Sequence, residues 1–154
     1  MKAIETALSL TQAYKLGIER FEKMLGNEFA KAVEFMNNST THIIICGMGK
    51  SGLVGRKISS TLASTGTPSI FLHPAEAIHG DLGKVQKQSV VLLISYSGET
   101  GEIISLIPAL KRLDVTIIGL TGVKNSTLAS KSDIVLDTSV DREACPLNLA
   151  PTTY

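Results

Sequence analysis

The sequence repeats one pattern, in which an apolar run ends in a loop rich in glycine and hydroxyl residues and the loop opens an amphipathic helix. The run His42–Cys46 leads into Gly47–Gly52, and the run Val90–Leu93 leads into Ile94–Gly101. Continuous apolar runs of this length are typical of strands that are buried on both faces. Because strands and helices alternate along the chain, we expect a parallel sheet covered by helices on both sides.

The same reasoning places the other elements. Three further strands are predicted at Ser69–Leu72, Asp114–Leu120 and Asp133–Leu136. Helical spacing predicts a helix after each of the two loops, a short one opened by Pro74 and ended by Gly80, and another near Ser126–Lys131. The sequence therefore predicts an α/β domain with five strands.

The segment Ala3–Asn37 has the apolar spacing of a helix, with Gly17 and Gly26 as weak points. It predicts one long helix or two consecutive ones. Such a segment packs either on the core that follows it or on a second subunit.

Length and composition indicate one domain. The chain has 154 residues, of which 44% are hydrophobic and 19% charged, which is ordinary for a globular α/β domain. We divide this domain, 1–154, into an N-terminal helical segment 1–38, an α/β core 41–140 and a C-terminal active-site loop 141–154. Cys46 and Cys145 are expected to be free thiols, because their spacing fits neither a CxxC motif nor a metal site.

Several partners are excluded by charge and hydropathy. The net charge is +1, so nothing indicates a surface for nucleic acid or for an anionic membrane. No run approaches the ~18 apolar residues that a membrane span needs. The N-terminus is an amphipathic helix carrying Glu5 rather than a signal peptide, and we therefore expect a cytoplasmic protein.

The loop Gly47–Gly52 fits one phosphate-binding motif by spacing and fails another. A Walker A loop would need its first glycine inside the preceding strand, where this sequence has isoleucine. The glycines do fit the G-x-G-x-x-G pattern of dinucleotide-binding folds, but the second strand ends in His73 and Pro74, with no acidic residue until Glu76 to hold a ribose. No nicotinamide cofactor is expected. Lys50 and Ser51 then stand either at an anion-binding helix N-terminus or in a plain tight turn.

The loop Ser95–Gly101 concentrates hydroxyl groups and backbone N–H groups at the start of a helix, which favours an anion such as phosphate. The alternative is that Ser95 and Ser97 serve only as turn and N-cap residues. Both loops follow the carboxyl ends of strands, and ligands of parallel sheets bind at that edge, where the strand order reverses. We therefore expect the two loops to converge on one crevice.

Two other segments contain candidate side chains. The stretch His73–Leu82 has two histidines and two acidic residues, but the spacing is neither HxxxH nor HExxH, so no metal is expected. His79 faces the site or, alternatively, is an exposed helix-capping residue. Glu143, beyond the fifth strand, points at the crevice or lies on the surface.

Five sequence blocks together resemble the arabinose 5-phosphate isomerase family of the sugar isomerase (SIS) domain superfamily, over essentially the whole chain. They are Gly-Met-Gly-Lys-Ser-Gly at 47–52, Ser-Thr-Gly-Thr-Pro at 64–68, His-Pro-Ala-Glu-Ala-x-His-Gly-Asp-Leu-Gly at 73–83, Ser-x-Ser-Gly-Glu at 95–99 and Glu-Ala-Cys-Pro-Leu-x-Leu-Ala-Pro-Thr at 143–152. The resemblance implies a flavodoxin-like three-layer αβα sandwich. It implies an isomerase that interconverts D-ribulose 5-phosphate and D-arabinose 5-phosphate, supplying 3-deoxy-octulosonate for lipopolysaccharide or capsule. It also implies no cofactor, no metal and a homo-oligomer, usually a tetramer.

Carried over by residue, the resemblance makes Lys50, Glu99 and Glu143 catalytic. It implies that the substrate is bound by Gly49, Ser51, His79, Ser95, Ser97, Gly98 and Thr100, with Gly101 also allowing a close approach.

The sequence departs from the family pattern in two ways. Tyr96 stands where the family usually has asparagine, which places a large ring beside the phosphate loop. The chain ends at Tyr154, so the helix, the histidine of a Ser-His-Pro-Gly-Gly segment and the paired CBS domains of full-length members are expected to be absent. The alternative function is a sugar-phosphate-binding module with a regulatory or interaction role and no turnover.

Overall fold

The fold is an α/β sandwich around one sheet of five parallel strands. A computed structural model describes residues 2–145 of the chain. The strands are β1 (Ile43–Gly47), β2 (Ser69–Leu72), β3 (Val90–Ile94), β4 (Thr116–Thr121) and β5 (Ile134–Asp137), in the spatial order β2-β1-β3-β4-β5. The helices are α1 (Lys2–Met24), α2 (Asn27–Asn37), α3 (Gly49–Ser64), α4 (Pro74–Ile78), α5 (Gly101–Arg112) and α6 (Thr127–Lys131), with one 3₁₀ turn at Asp81–Lys84. The predicted fold class is confirmed.

The fourth strand begins later than predicted. Asp114 has a φ of +55°, and its N–H donates to the carbonyl of Lys111 in the turn that ends α5. Aspartate tolerates this left-handed conformation better than most residues do. The prediction was wrong here because a turn residue was assigned to the strand. The predicted first and fifth strands also began one residue too early.

Alternate strand residues face opposite layers, because successive side chains of a strand point to opposite faces. Ile44 and Leu93 pack towards α4 and α5, in one buried cluster with Ile103 and Leu106. Ile45 packs in a second cluster, which contains residues of α2 and α3. The sheet is therefore covered on both sides, as in a three-layer sandwich.

The N-terminal segment forms two helices that break at Leu25 and Gly26. The second, α2, packs on the chain's own core through Ala32, which is 2% exposed. In contrast, α1 has no buried residue along its 23 residues. Within residues 2–145 no helix is long and apolar enough to cross a membrane.

Candidate functional site

The two predicted loops meet at the point where the strand order reverses. β1 lies between β2 and β3, so the chain leaves β1 towards one edge of the sheet and later builds β3 on the other side of β1. α3 begins two residues after β1, and α5 begins after the loop that follows β3. Ligands of parallel sheets bind at such a reversal, beyond the carboxyl ends of the strands. The predicted convergence of the loops is confirmed.

The two helices that begin at this reversal, α3 and α5, have no side-chain cap among the described residues. α3 follows Met48, and α5 follows Thr100, and neither residue caps the helix with its side chain. The first N–H groups of a helix have no partner within the helix, and the dipole makes this end positive. The crevice therefore presents backbone donors and positive potential from two helices of 16 and 12 residues. That combination favours an anion.

The loop after β3 is held together by its own hydroxyl groups. Ser95 is 2% exposed, and its Oγ accepts the N–H of Gly98 at 3.1 Å and lies 2.7 Å from Oγ1 of Thr100. Ser97 is exposed, and its Oγ accepts the N–H of Glu99 at 3.2 Å. Ser95 thus organises the loop, whereas Ser97 and Thr100 are more accessible to a ligand.

Gly98 lets this loop pack against the start of α6. Its φ is +65°, and a Cβ at this position would lie 2.0 Å from Oγ of Ser126 and 2.9 Å from Oγ1 of Thr121. The carbonyl of Gly98 accepts the N–H of Leu128 at 3.0 Å. Only glycine combines this backbone conformation with such a close approach.

Glu99 has a structural contact that the sequence did not predict. Its Oε1 accepts the N–H of Thr127 at 2.6 Å, at the first residue of α6. The Oγ of Ser126 accepts the N–H of Ala129 at 3.2 Å, so the start of α6 is satisfied by two side chains. The Glu99 carboxylate is therefore fixed in position by a bond to the backbone of another element.

Lys50 and Ser51 line a small cavity beside the loop. It has a volume of about 60 Å³, and its other walls are Tyr96, Thr138 and the apolar side chains Val54, Ile94 and Leu120. The ring of Tyr96 lies against Gly122, where an added Cβ would be 2.2 Å from a ring carbon. The ring of Tyr96 therefore forms part of the cavity wall at the loop that follows β3.

The remaining predicted residues of the described part of the chain do not line this cavity. His79 is exposed and ends α4, with its N–H bonded to backbone carbonyls of the same helix. Glu143 is partly buried, between Arg142 and the buried Ala144, and within residues 2–145 neither Glu99 nor Glu143 is part of the cavity lining. Residues 146–154 of the predicted C-terminal loop lie outside the described residues.

His73 is a polar residue at the same edge that sequence analysis did not single out. It directly follows β2 and precedes α4, and its Nδ1 is buried without a hydrogen-bond partner in the described part of the chain. Its position after the carboxyl end of a strand was the signal that could have identified it.

Cys46 is not a candidate nucleophile. It is buried in β1, and burial raises its pKa to about 12. A thiol attacks as its thiolate, so this group is inert near neutral pH. Among residues 2–145, no three histidine, cysteine or acidic side chains are grouped as a metal ion would require.

Comparison with known proteins gives three findings. Residues 36–154 match the SIS domain family. The chain is 54% identical over 129 residues to the arabinose 5-phosphate isomerase KdsD of Pseudomonas aeruginosa, covering 84% of this chain and 40% of that protein. It is 51% identical over 137 residues to the arabinose 5-phosphate isomerase KpsF of Escherichia coli O6:H1 strain CFT073, covering 88% and 42%. The chain therefore spans about two fifths of the length of these curated relatives.

Solved structures extend the similarity to the whole chain. The structure of E. coli CFT073 c3406 in complex with arabinose 5-phosphate superposes with a TM-score of 0.87 at 37% identity, covering 99% of this chain and 81% of that one. A putative phosphosugar isomerase involved in capsule formation from Bacteroides fragilis gives a TM-score of 0.91 at 38% identity, covering 98% and 81%.

Proposed function

The chain belongs to the SIS domain family, and on that premise we propose that it interconverts D-ribulose 5-phosphate and D-arabinose 5-phosphate. The observation that carries the proposal is the pair of uncapped helix N-termini that flank a hydroxyl-rich loop at the reversal of the strand order. This arrangement suits the phosphate of a sugar phosphate. Relatives about half identical to the chain are named arabinose 5-phosphate isomerases, which supports this choice among sugar phosphates.

In this proposal the phosphate binds at the start of α5. The hydroxyl groups of Ser97 and Thr100 bind the phosphate there. The hydrogen bonds of Ser95 within the loop, to the N–H of Gly98 and to Thr100, maintain the loop conformation. Ser51, in the first turn of α3, faces the neighbouring cavity and contributes a further donor. Gly49 and Gly101, which begin these two helices, leave the approach open, because a Cβ at either would meet nothing within 4 Å.

The chemistry is a proton transfer between two carbons. A base removes the proton from C2 of the open-chain aldose, and the C–H electron pair forms the C1–C2 double bond of an enediolate while the negative charge moves to O1. The proton returns to C1 and a proton passes from O2 to O1, which leaves the ketone at C2. The reaction therefore needs a carboxylate base and a cation beside the developing oxyanion.

We assign the proton transfer to Glu143 and the stabilisation of the enediolate to Lys50. Glu99 orients a substrate hydroxyl or assists ring opening, and its bond to the N–H of Thr127 supports a fixed orienting role. His79 contacts the sugar in this scheme. Glu102, an exposed acidic residue in the first turn of α5, provides the comparison for Glu99.

The test measures turnover of arabinose 5-phosphate and binding of the same compound in one preparation. We expect turnover in the wild-type chain and its loss in Lys50→Ala and in Glu143→Gln, with binding retained in Glu143→Gln. Lys57→Ala, a change on the exposed side of the same helix as Lys50, is the matched control. Near-normal turnover in Glu143→Gln would remove its assignment, and loss in Glu102→Gln but not Glu99→Gln would move the second role to Glu102.

The second candidate function is binding of a sugar phosphate without turnover. It is favoured by the bond between Glu99 and Thr127. Because the Glu99 carboxylate binds the start of α6, a structural role alone accounts for this residue without a role in catalysis. Binding without turnover in the wild-type chain would support it. Turnover that depends on Lys50 would exclude it.

We also propose that the protein is a cytoplasmic homo-oligomer, a dimer or a tetramer, that serves lipopolysaccharide or capsule synthesis. Tyr14, Ile18 and Phe21 recur on one side of α1 and are 46%, 68% and 46% exposed. An apolar stripe of this kind is typical of a protein interface. Analytical ultracentrifugation should show a multimer that Ile18→Glu dissociates and Lys15→Ala does not. A monomeric wild-type chain would contradict the proposal.

A further inference from the structure

We propose that Arg20 of α1 is a positioning residue that fixes the loop carrying Glu143. The inference rests on the proposed function, in which Glu143 moves the proton, and it extends the active site to a helix that does not itself line the cavity at Lys50 and Ser51.

Arg20 bonds to two residues of the segment that follows β5. Its Nη1 donates to the carboxylate of Asp141, and its Nη2 donates to Oγ of Ser139 at 2.9 Å. The two acceptors flank Val140, so one guanidinium spans three consecutive residues of the loop. Because the donors of a guanidinium lie in a rigid plane, the two bonds fix the loop's direction as well as its distance from α1.

Contacts with residues outside α1 also hold this loop. The N–H of Thr138 donates to the carbonyl of Thr121 at 2.9 Å, and the N–H of Ser139 donates to Oδ1 of Asp137 at 2.8 Å. Ala144, just after Glu143, is 3% exposed. Glu143 therefore lies in a short stretch that is fixed at both ends. Arg20 binds Asp141, two residues before Glu143, and Ala144, directly after Glu143, is buried.

Arg20 differs from the other charged residues of α1. Within Lys2–Met24 every other charged residue is exposed, whereas Arg20 is partly buried and its Nε is fully buried. No residue of this helix is buried, so α1 gives the core little packing. The side chain of Asp141 is 85% exposed. Ion pairs of such accessibility contribute little to folding stability. A contact that matters little for stability can still matter for the position of Glu143.

The experiment compares Arg20→Ala and Arg20→Lys with Lys15→Ala, an exposed change on the same helix, in the 154-residue chain. Small displacements of a catalytic group reduce rates steeply, so we expect kcat to fall by about tenfold or more in Arg20→Ala. KM, arabinose 5-phosphate binding and the thermal midpoint should stay unchanged, Arg20→Lys should recover part of kcat, and Lys15→Ala should match the wild type. In a Glu143→Gln background Arg20→Ala should cause no further fall in the residual turnover that this variant keeps, because no carboxylate remains to be positioned.

The outcomes separate this proposal from the proposed function. Wild-type kcat in Arg20→Ala, or the same fractional loss in both backgrounds, would overturn the role of Arg20 and leave the isomerase intact. A wild-type chain without turnover, or a Glu143→Gln chain with normal turnover, would overturn the proposed function or the role of Glu143, and the present proposal with it. If Arg20→Ala unfolds at a lower temperature, Asp141→Asn tests the same contact from its exposed end, and an unchanged kcat there would overturn the proposal.

Discussion

Replacing Gly98 with alanine should destabilise the chain, because Gly98 combines a left-handed backbone with a tight contact. Its φ is +65°, and the added Cβ would lie 2.0 Å from Oγ and 2.4 Å from Cβ of Ser126. An L-residue in the left-handed region costs roughly 1–2 kcal/mol. Packing an extra methyl into a filled site costs a further ~1–3 kcal/mol. We expect the free energy of unfolding to fall by about 2–5 kcal/mol.

Urea denaturation of Gly98→Ala measures this loss, and sugar phosphate binding measured below the transition reports the loop itself. To relieve the contact, Ser126 must move, which would also disturb the bond from Ala129 N–H to its Oγ at 3.2 Å. Binding should therefore weaken even where the variant is fully folded. An unfolding free energy within ~0.5 kcal/mol of the wild type, the range of neutral surface changes, would refute the reasoning.

Gly101→Ala is the matched control in the same loop. An added Cβ at Gly101 would meet nothing within 4 Å, and the residue begins α5 with an ordinary backbone conformation. Alanine is the better helix former, so stability should be unchanged or rise by ~0.5–1 kcal/mol. If Gly98→Ala lowers the free energy of unfolding and Gly101→Ala, three residues away, does not, the loss comes from the conformation and contacts of Gly98. It does not come from the removal of a glycine as such.

Three further predictions concern the core and the ionisable groups. Leu93→Ala, in the central strand at 0% exposure, should cost about 2–5 kcal/mol in urea denaturation. Burial raises the pKa of Cys46 to about 12, so a thiol reagent at neutral pH should leave it unmodified until the chain is unfolded, as peptide mass spectrometry would show. Burial raises the pKa of Asp137, but hydrogen bonds with Ser139 and the bond and charge of Lys124 outweigh it and hold that pKa below its ordinary value. The contribution of Asp137 to folding stability is therefore present above the ordinary pKa of aspartate and is lost as the pH falls through its lowered pKa. In Asp137→Asn the free energy of unfolding should depend less on pH on the acid side.

The fold could be predicted because its strands are continuous apolar runs. Ile43–Gly47 and Val90–Ile94 are buried on both faces, and such runs are recognisable without knowledge of their neighbours. The start of β4 could not be located in this way, since it depends on the left-handed turn at Asp114. Asp133 was predicted to begin the fifth strand, but it lies just before β5. Its Oδ2 accepts the N–H of Ile117 in β4 at 2.8 Å, a contact that the sequence pattern does not indicate.

The site was less predictable because its polar groups are shared between elements that are distant in sequence. Glu99 and Thr127 are 28 residues apart, and Arg20 and Asp141 are 121 residues apart. Motif spacing predicts which loops meet at a sheet edge. It does not predict which hydroxyl or carboxylate groups bond to the protein's own backbone and which remain accessible to a ligand. In this chain Ser95 holds its own loop and Glu99 holds α6, while Lys50 and Ser51 remain on the cavity wall. A residue bound to backbone in this way keeps a fixed position, which suits orienting a substrate better than carrying a proton between two carbons. In the proposed reaction the bond to Thr127 therefore supports an orienting role for Glu99, and exchanging Glu99 and Glu143 for glutamine in turn tests the division of roles between them.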